Sequence, residues 1–115
     1  MLKVYGIPNC DTIKKARDWL AAQRIPYDFH DYKSQGIDAA RLKIWCERLG
    51  WEKVLNWKST TFKALPDSEK HNINEEDAIA LMVANPSMIK RPIFEKDDSL
   101  IAGFKADDPE LKALL

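Results

Sequence analysis

Apolar and polar positions alternate through Leu2-Lys3-Val4-Tyr5-Gly6, a run rich in residues that favour extended backbone. It predicts a strand over residues 2–6. After the Ile7-Pro8-Asn9 turn the period lengthens. Ile13, Ala16 and Leu20 recur at helical spacing, with Ala21 at the margin of the stripe, while Lys14, Lys15, Arg17 and Asp18 take the wet side. This predicts a helix from about Asp11 to Gln23. Beyond Pro26, Tyr27-Asp28-Phe29-His30-Asp31-Tyr32 alternates aromatic and polar residues and reads as a second strand. Strand, helix and strand form a βαβ unit, so the two strands are expected parallel with a right-handed crossover.

The middle of the chain has a different texture. Ser34-Gln35-Gly36-Ile37-Asp38 reads as a turn, with Asp38 as the N-cap of a helix whose face is Leu42, Trp45, Cys46 and Leu49 and whose stop is Gly50. Residues 51–73 hold only short apolar pieces broken by Pro66 and polar residues. Asn74, with Asp77 three positions on, opens another helix carrying Ile79, Leu81, Met82 and Val83 to Asn85-Pro86. Strands return at Arg91–Glu95 and Ser99–Phe104, joined by a link short enough only for an antiparallel hairpin. Asp107-Asp108-Pro109 then caps a last helix, with proline at the tolerated first position. A mostly helical insertion at about 34–86 thus separates a βαβ half from a ββα half within one α/β domain spanning 1–115.

At 115 residues the chain is long enough for a core without metal or disulfide staples, and its composition is 45% hydrophobic and 31% charged. Lys+Arg and Asp+Glu balance at 18 each, so no overall field draws it to nucleic acid or to an anionic membrane. No apolar run reaches the length of a bilayer span. The N-terminus enters a strand at once with no signal-peptide layout, which makes a cytoplasmic location the default expectation. In that reducing compartment the two cysteines, Cys10 and Cys46, are expected as thiols. His30 and His71 are isolated and no Cys/His cluster has ligand spacing, so no metal site and no bound cofactor are expected.

Cys10 stands where a strand and turn give way to a helix. Unpaired N–H groups and the positive end of the helix dipole favour a thiolate there, lowering its pKa from about 8.5. A lone cysteine is commonly an inert core residue. Strand, turn, cysteine and helix in that order instead mark Cys10 as a nucleophile, with Asn9, Asp11 and Thr12 around it as candidate substrate contacts. Cys46 shares a stripe with Leu42, Trp45 and Leu49 and reads as packing. Position 13 is Ile13, so no Cys-x-x-Cys dithiol exists and a second thiol must come from outside, most simply from glutathione. Lys90-Arg91-Pro92-Ile93 is the other signal, because a proline opening a strand is an edge position or one of the uncommon cis bonds. In thioredoxin-like proteins, which this order of elements resembles, a cis proline at the start of the third strand faces the active cysteine. That resemblance implies Arg91 as a bidentate donor for an oxyanion or carboxylate near Cys10, although surface exposure is the ordinary fate of arginine. His30 reads as a strand-end histidine and Lys58-Ser59-Thr60-Thr61 as a capped turn. Trp19, Trp45, Trp51 and Trp57 read as packing.

The skeleton follows a thioredoxin-like (glutaredoxin-like) order. In Tyr5-Gly6-Ile7-Pro8-Asn9-Cys10-Asp11-Thr12-Ile13-Lys14-Lys15-Ala16, Phe29-His30-Asp31-Tyr32, Ile89-Lys90-Arg91-Pro92-Ile93 and Leu100-Ile101-Ala102-Gly103-Phe104 the chain resembles the arsenate reductase and Spx family, in its YffB-like branch. The resemblance spans essentially the whole chain. It implies a thioredoxin-like fold with a helical insertion, Cys10 as the active thiol, and Arg91 beside a cis Pro92 at the substrate site. Glutaredoxin-linked arsenate reductases place three arginines around the oxyanion, whereas here only Arg91 corresponds. Lys58 stands where many Spx-like and YffB-like sequences have an arginine before a hydroxyl or glycine. Loss of two guanidinium donors removes several kcal/mol of oxyanion stabilisation at about 1.5–3 kcal/mol each. The expected activity is therefore a glutathione-dependent thiol/disulfide reductase, with glutaredoxin as a possible partner. Arsenate reduction, or Spx-like docking on RNA polymerase, is the alternative.

Overall fold

The 2–6 run becomes the inner strand of a sheet, which explains why four of its five residues are buried and only Lys3 is partly open. The computed structural model describes residues 1–8, 10–70 and 72–115. They divide into two compact units, Met1–Gln35 with Arg91–Leu115, and Gly36–Lys90. In the first, β1 (Leu2–Gly6) pairs in parallel with β2 (Tyr27–Asp31) and antiparallel with β3 (Ile93–Lys96), which pairs antiparallel with β4 (Ser99–Ala102). The strand order is β2-β1-β3-β4. Helix α1 (Asp11–Ala22) is the crossover from β1 to β2 and buries Ile13, Ala16 and Leu20, while Ala21 is exposed. It ends where Arg24 turns to a φ of 56° and the Ile25 N–H reaches back to the Leu20 carbonyl.

One sheet face carries the apolar core of this unit. Val4 is in register with Phe29 on one side and Phe94 on the other. Leu2, Val4 and Phe94 pack with Ala16 and Leu20 of α1 and with Leu111 and Leu114. The last two belong to the C-terminal helix (Pro109–Leu114), whose N-cap Asp108 accepts the Glu110 N–H with Pro109 at the first turn. The opposite face carries Tyr5, in register with His30 and Ile93. Its hydroxyl donates to Glu95 Oε1 at 3.0 Å, and its ring lies 4.9 Å from that of His30 and 6.3 Å from that of Tyr32.

Strand ends depart from the sequence expectation for local reasons. The second strand stops at Asp31, and Tyr32 opens a short helix, α2 (Tyr32–Gln35). Asp31 starts this turn, since its carboxylate accepts the Lys33 N–H at 2.9 Å while its own N–H donates to Gln35 Oε1 at 3.0 Å. The β3 ladder begins at Ile93 and not at Arg91, because Pro92 has no N–H to give it. Strand β4 ends at Ala102, before Gly103 at a φ of 86°, although the Gly103 N–H still reaches the Pro92 carbonyl at 2.8 Å.

The second unit is helical. Asp38 accepts the Arg41 N–H at 2.7 Å to start α3 (Ala39–Leu49), and Gly50 at a φ of 91° ends it. The broken apolar stretch after it folds into three single turns: α4 (Trp51–Val54), α5 (Thr60–Lys63) and α6 (Asp67–Lys70). Ser59 caps α5 by accepting the Phe62 N–H, so the hydroxyl-rich turn is a helix start. Asn74 and Asp77 form a full capping box on α7 (Glu75–Ala84). That helix buries Ala78 and Met82, four residues apart. Ile79 and Leu81 are half-buried, and Val83, expected on the inner face, is 40% exposed. A 3-10 turn (Pro86–Met88) and an antiparallel bridge between Leu55 and Ile89 close the unit around Leu42, Trp45, Val54, Phe62 and Met88. The terminal helix Pro109–Leu114 is α8. No helix among the described residues is long and apolar enough to cross a membrane.

Two substitutions test this packing. Leu20→Ala, at a position with no exposure, is expected to cost about 2–5 kcal/mol, and Asn74→Ala about 1 kcal/mol through its lost cap. Urea titrations of both variants measure the difference. A smaller loss for the leucine than for the cap would contradict the assignment of the core.

Candidate functional site

The β1–β3 register decides what meets Cys10. With Val4 opposite Phe94 and Tyr5 opposite Ile93, the chain leaving β1 runs past the chain entering β3. Cys10 and Arg91 therefore converge on one edge of the sheet, although 81 positions separate them in sequence.

Cys10 is the N-cap residue of α1, with extended backbone (φ −133°, ψ 130°), and is half-buried. Asp11, Thr12 and Ile13 form the first turn, whose N–H groups lack partners within the helix. Burial by itself would raise the thiol pKa, and this is the largest single influence on it. The Ile13 N–H, the Arg91 guanidinium bonded to the sulfur, and the Thr12 N–H together outweigh that cost, so the Cys10 pKa lies below its ordinary value. The sulfur closes no standard capping hydrogen bond, and its stabilisation is shared between the helix start and the guanidinium.

The Arg91–Pro92 peptide bond is cis, Pro92 is buried and Arg91 is half-buried. Asp11 and Thr12 have exposed side chains beside the thiol. Asn9 lies outside the described residues. Lys58 is an exposed residue of the helical unit, where its N–H donates to Asn56 Oδ1 at 3.2 Å. His30 is half-buried against the Tyr5 and Tyr32 rings. Burial pushes the Tyr32 phenol well above its ordinary value, and the charge of Tyr5 adds to this against the opposing pull of Arg91. Cys46 is buried beside Trp45, and burial, with a further push from Glu75, raises its pKa to about 11. Among the described residues no group of three or more His, Cys, Asp and Glu side chains is placed to hold a metal ion.

Sequence reasoning singled out Cys10 and Arg91 but gave Ile13 no electrostatic role. A backbone donor carries no residue-type signal. Only the local geometry brings the Ile13 N–H to the sulfur.

A four-stranded sheet with a cysteine at the start of the first crossover helix, no second cysteine one turn on, and a cis proline preceding the third strand defines the class: a thioredoxin-like protein without a Cys-x-x-Cys pair. Comparison with known proteins narrows this. The sequence model of the ArsC family matches residues 5–110, and the chain belongs to that family. A solved structure of a YffB protein superposes with a TM-score of 0.93 at 48% identity, over all of both chains. An arsenate reductase-related protein of Brucella melitensis is also 48% identical, with a TM-score of 0.78 over 90% of this chain and 87% of that one. An uncharacterised protein of Haemophilus influenzae is 39% identical over 90% of this chain and 91% of its own length. The global transcriptional regulator Spx of Enterococcus faecalis is 28% identical, over 94% and 83% respectively.

The two thiols are expected to separate cleanly. Near pH 7, iodoacetamide should modify Cys10 at least about tenfold faster than Cys46, as read by peptide mapping. Because the folded-state pKa of Cys10 is depressed, its ionisation stabilises the fold fully above the ordinary thiol value of about 8.5, and this contribution fades as pH falls through the folded-state value. The stability lost on Cys10→Ser should therefore grow with pH across that window. Urea midpoints that differ by the same amount at every pH would contradict the assignment.

Proposed function

We propose that this protein is a glutathione-dependent thiol/disulfide reductase within the ArsC family, with the Cys10 thiolate as its nucleophile. The observation that carries the reading is the convergence on one sulfur of a helix start and the Arg91 guanidinium, which lowers its pKa at a half-buried position.

The reaction needs no bound cofactor. The Cys10 thiolate attacks the glutathione sulfur of a mixed disulfide, forming a Cys10–glutathione disulfide and expelling the substrate sulfur as a thiolate, which takes up a proton. A second glutathione, as its thiolate, attacks the glutathione sulfur of that intermediate. Oxidised glutathione leaves and Cys10 is returned as the thiolate. Arg91 serves twice here, stabilising the thiolate before attack and holding an anionic carboxylate or departing sulfur afterwards. Asp11, Thr12 and Pro92 line the approach to the thiol in this scheme. Glutaredoxin is an alternative second thiol. Ile13 in place of a second cysteine supports an external reductant. A single arginine in place of three argues against arsenate as the main substrate.

Intact mass after brief exposure to oxidised glutathione across pH 5–9 tests the reading. A single adduct should form well below pH 8 on the wild type and on Cys46→Ser, and be lost in Cys10→Ser. Only the slow alkaline reaction of an ordinary thiol would remove the proposal's support. In a coupled glutathione assay Cys10→Ser should be inactive. Arg91→Ala should lose about 10- to 100-fold in kcat/KM, the equivalent of one charge-assisted bond. Arsenate turnover with glutathione and glutaredoxin matching the disulfide activity would instead favour an arsenate reductase.

The similarity to Spx regulators favours a second reading, a protein that docks on RNA polymerase without turnover. Retention of the protein by immobilised RNA polymerase, undiminished in Cys10→Ser, would support it.

A further inference from the structure

The end of β1 carries a residue with no functional group that nevertheless adjoins both sources of thiolate stabilisation. Gly6 is buried, and a Cβ built on it would overlap Cδ1 of Ile13, stand 3.0 Å from Ile13 Cγ1, and lie 3.8 Å from Cβ of Arg91. Gly6 is not among the glycines with positive φ, which are Gly36, Gly50 and Gly103, so the demand for glycine here is one of space and not of backbone conformation. Ile13 has no exposed surface, and a close-packed interior gives its branched side chain no free volume to swing into. A methyl group at position 6 is therefore relieved by moving Ile13 itself, and with it the first turn of α1.

We propose that Gly6 is a positioning residue for the Cys10 thiolate: its missing side chain leaves a slot that seats the Ile13 side chain beside Arg91 and so fixes where helix start and guanidinium meet the sulfur. The inference rests on the reading of Cys10 as the reactive thiol. Ile13 supplies the backbone N–H that most favours the thiolate, and Arg91 is the charged side chain acting on it among the described residues. A shift of a few tenths of an ångström in either weakens a charge-assisted contact whose strength depends on close approach.

The test is the pH profile of Cys10 alkylation by iodoacetamide in the full chain, followed by peptide mapping so that Cys46 is scored separately. Circular dichroism monitors folding. Gly6→Ala should move the Cys10 midpoint upward by about one pH unit, a tenfold change in the thiolate equilibrium. Adding Ile13→Val removes the methyl that the new Cβ meets, so the double variant, measured against Ile13→Val alone, should show at most half of that shift. If Gly6→Ala does not fold, Ile13→Ala carries the test, because it empties the slot and should raise the midpoint in the same direction. A folded Gly6→Ala with the wild-type midpoint, a double variant as shifted as the single one, or an unshifted Ile13→Ala would each overturn the proposal. A wild type that reacts only with the alkaline profile of an ordinary thiol would bring down the reading of Cys10 itself. That outcome is distinct from a low wild-type midpoint left unchanged by the glycine variant.

Discussion

The pairing of β1 with β3 is the constraint on which the site depends. Antiparallel register brings the residues after β1 alongside those before β3, and that alone carries Arg91 to Cys10. The parallel pairing of β1 with β2 comes from the α1 crossover, which places the start of α1 at the same sheet edge. One strand hydrogen-bonded on both sides thus aims a helix N-terminus and a guanidinium at a single sulfur. Burial of Val4, Phe29, Phe94, Ala16 and Leu20 on one face holds the register, since a slip of one residue would turn Val4 outward and Lys3 inward.

The balance at Cys10 follows from opposed influences. Desolvation acts against the thiolate more than any single partner supports it, and only the sum of two backbone N–H groups and one arginine reverses the sign. Cys46 shows the other outcome. It is buried beside Trp45 with Glu75 as the charge acting on it, and its pKa rises to about 11. The same residue type is pushed in opposite directions within one chain by what surrounds it. For this reason membership of the ArsC family defines the fold and a coarse redox class, while the particular substrate rests on the charges presented around Cys10.

The βαβ and ββα halves, the sense of strand pairing within each and the helical character of the segment between them were legible as hydrophobic period, link length and cap residues. Asp38, Asn74 with Asp77, and Asp108 with Pro109 all cap helices as their residue types predict. Element ends were less legible, because each is set by individual hydrogen bonds, local at Asp31 and longer-range at Gly103, that leave no periodic pattern in the sequence. Asp31 closes β2 through its bonds with Lys33 and Gln35, and Gly103 ends β4 while still reaching Pro92. The 51–73 stretch hid three helical turns, since a single turn is too short to display a period. Val83 turned outward because a stripe of two residues, Ala78 and Met82, suffices to seat α7.

By itself the sequence determined the class of chemistry available: a cysteine at a helix start with no second cysteine one turn on, and an arginine before a proline that opens a strand. These are local patterns, and local patterns survive in one dimension. Only the tertiary structure decided that the arginine reaches the cysteine, that Pro92 is cis, and that Gly6 leaves the space in which Ile13 sits. Those facts arise from strand register and side-chain volume between residues far apart in the chain, and the thiolate is governed by distances that no spacing of residues encodes.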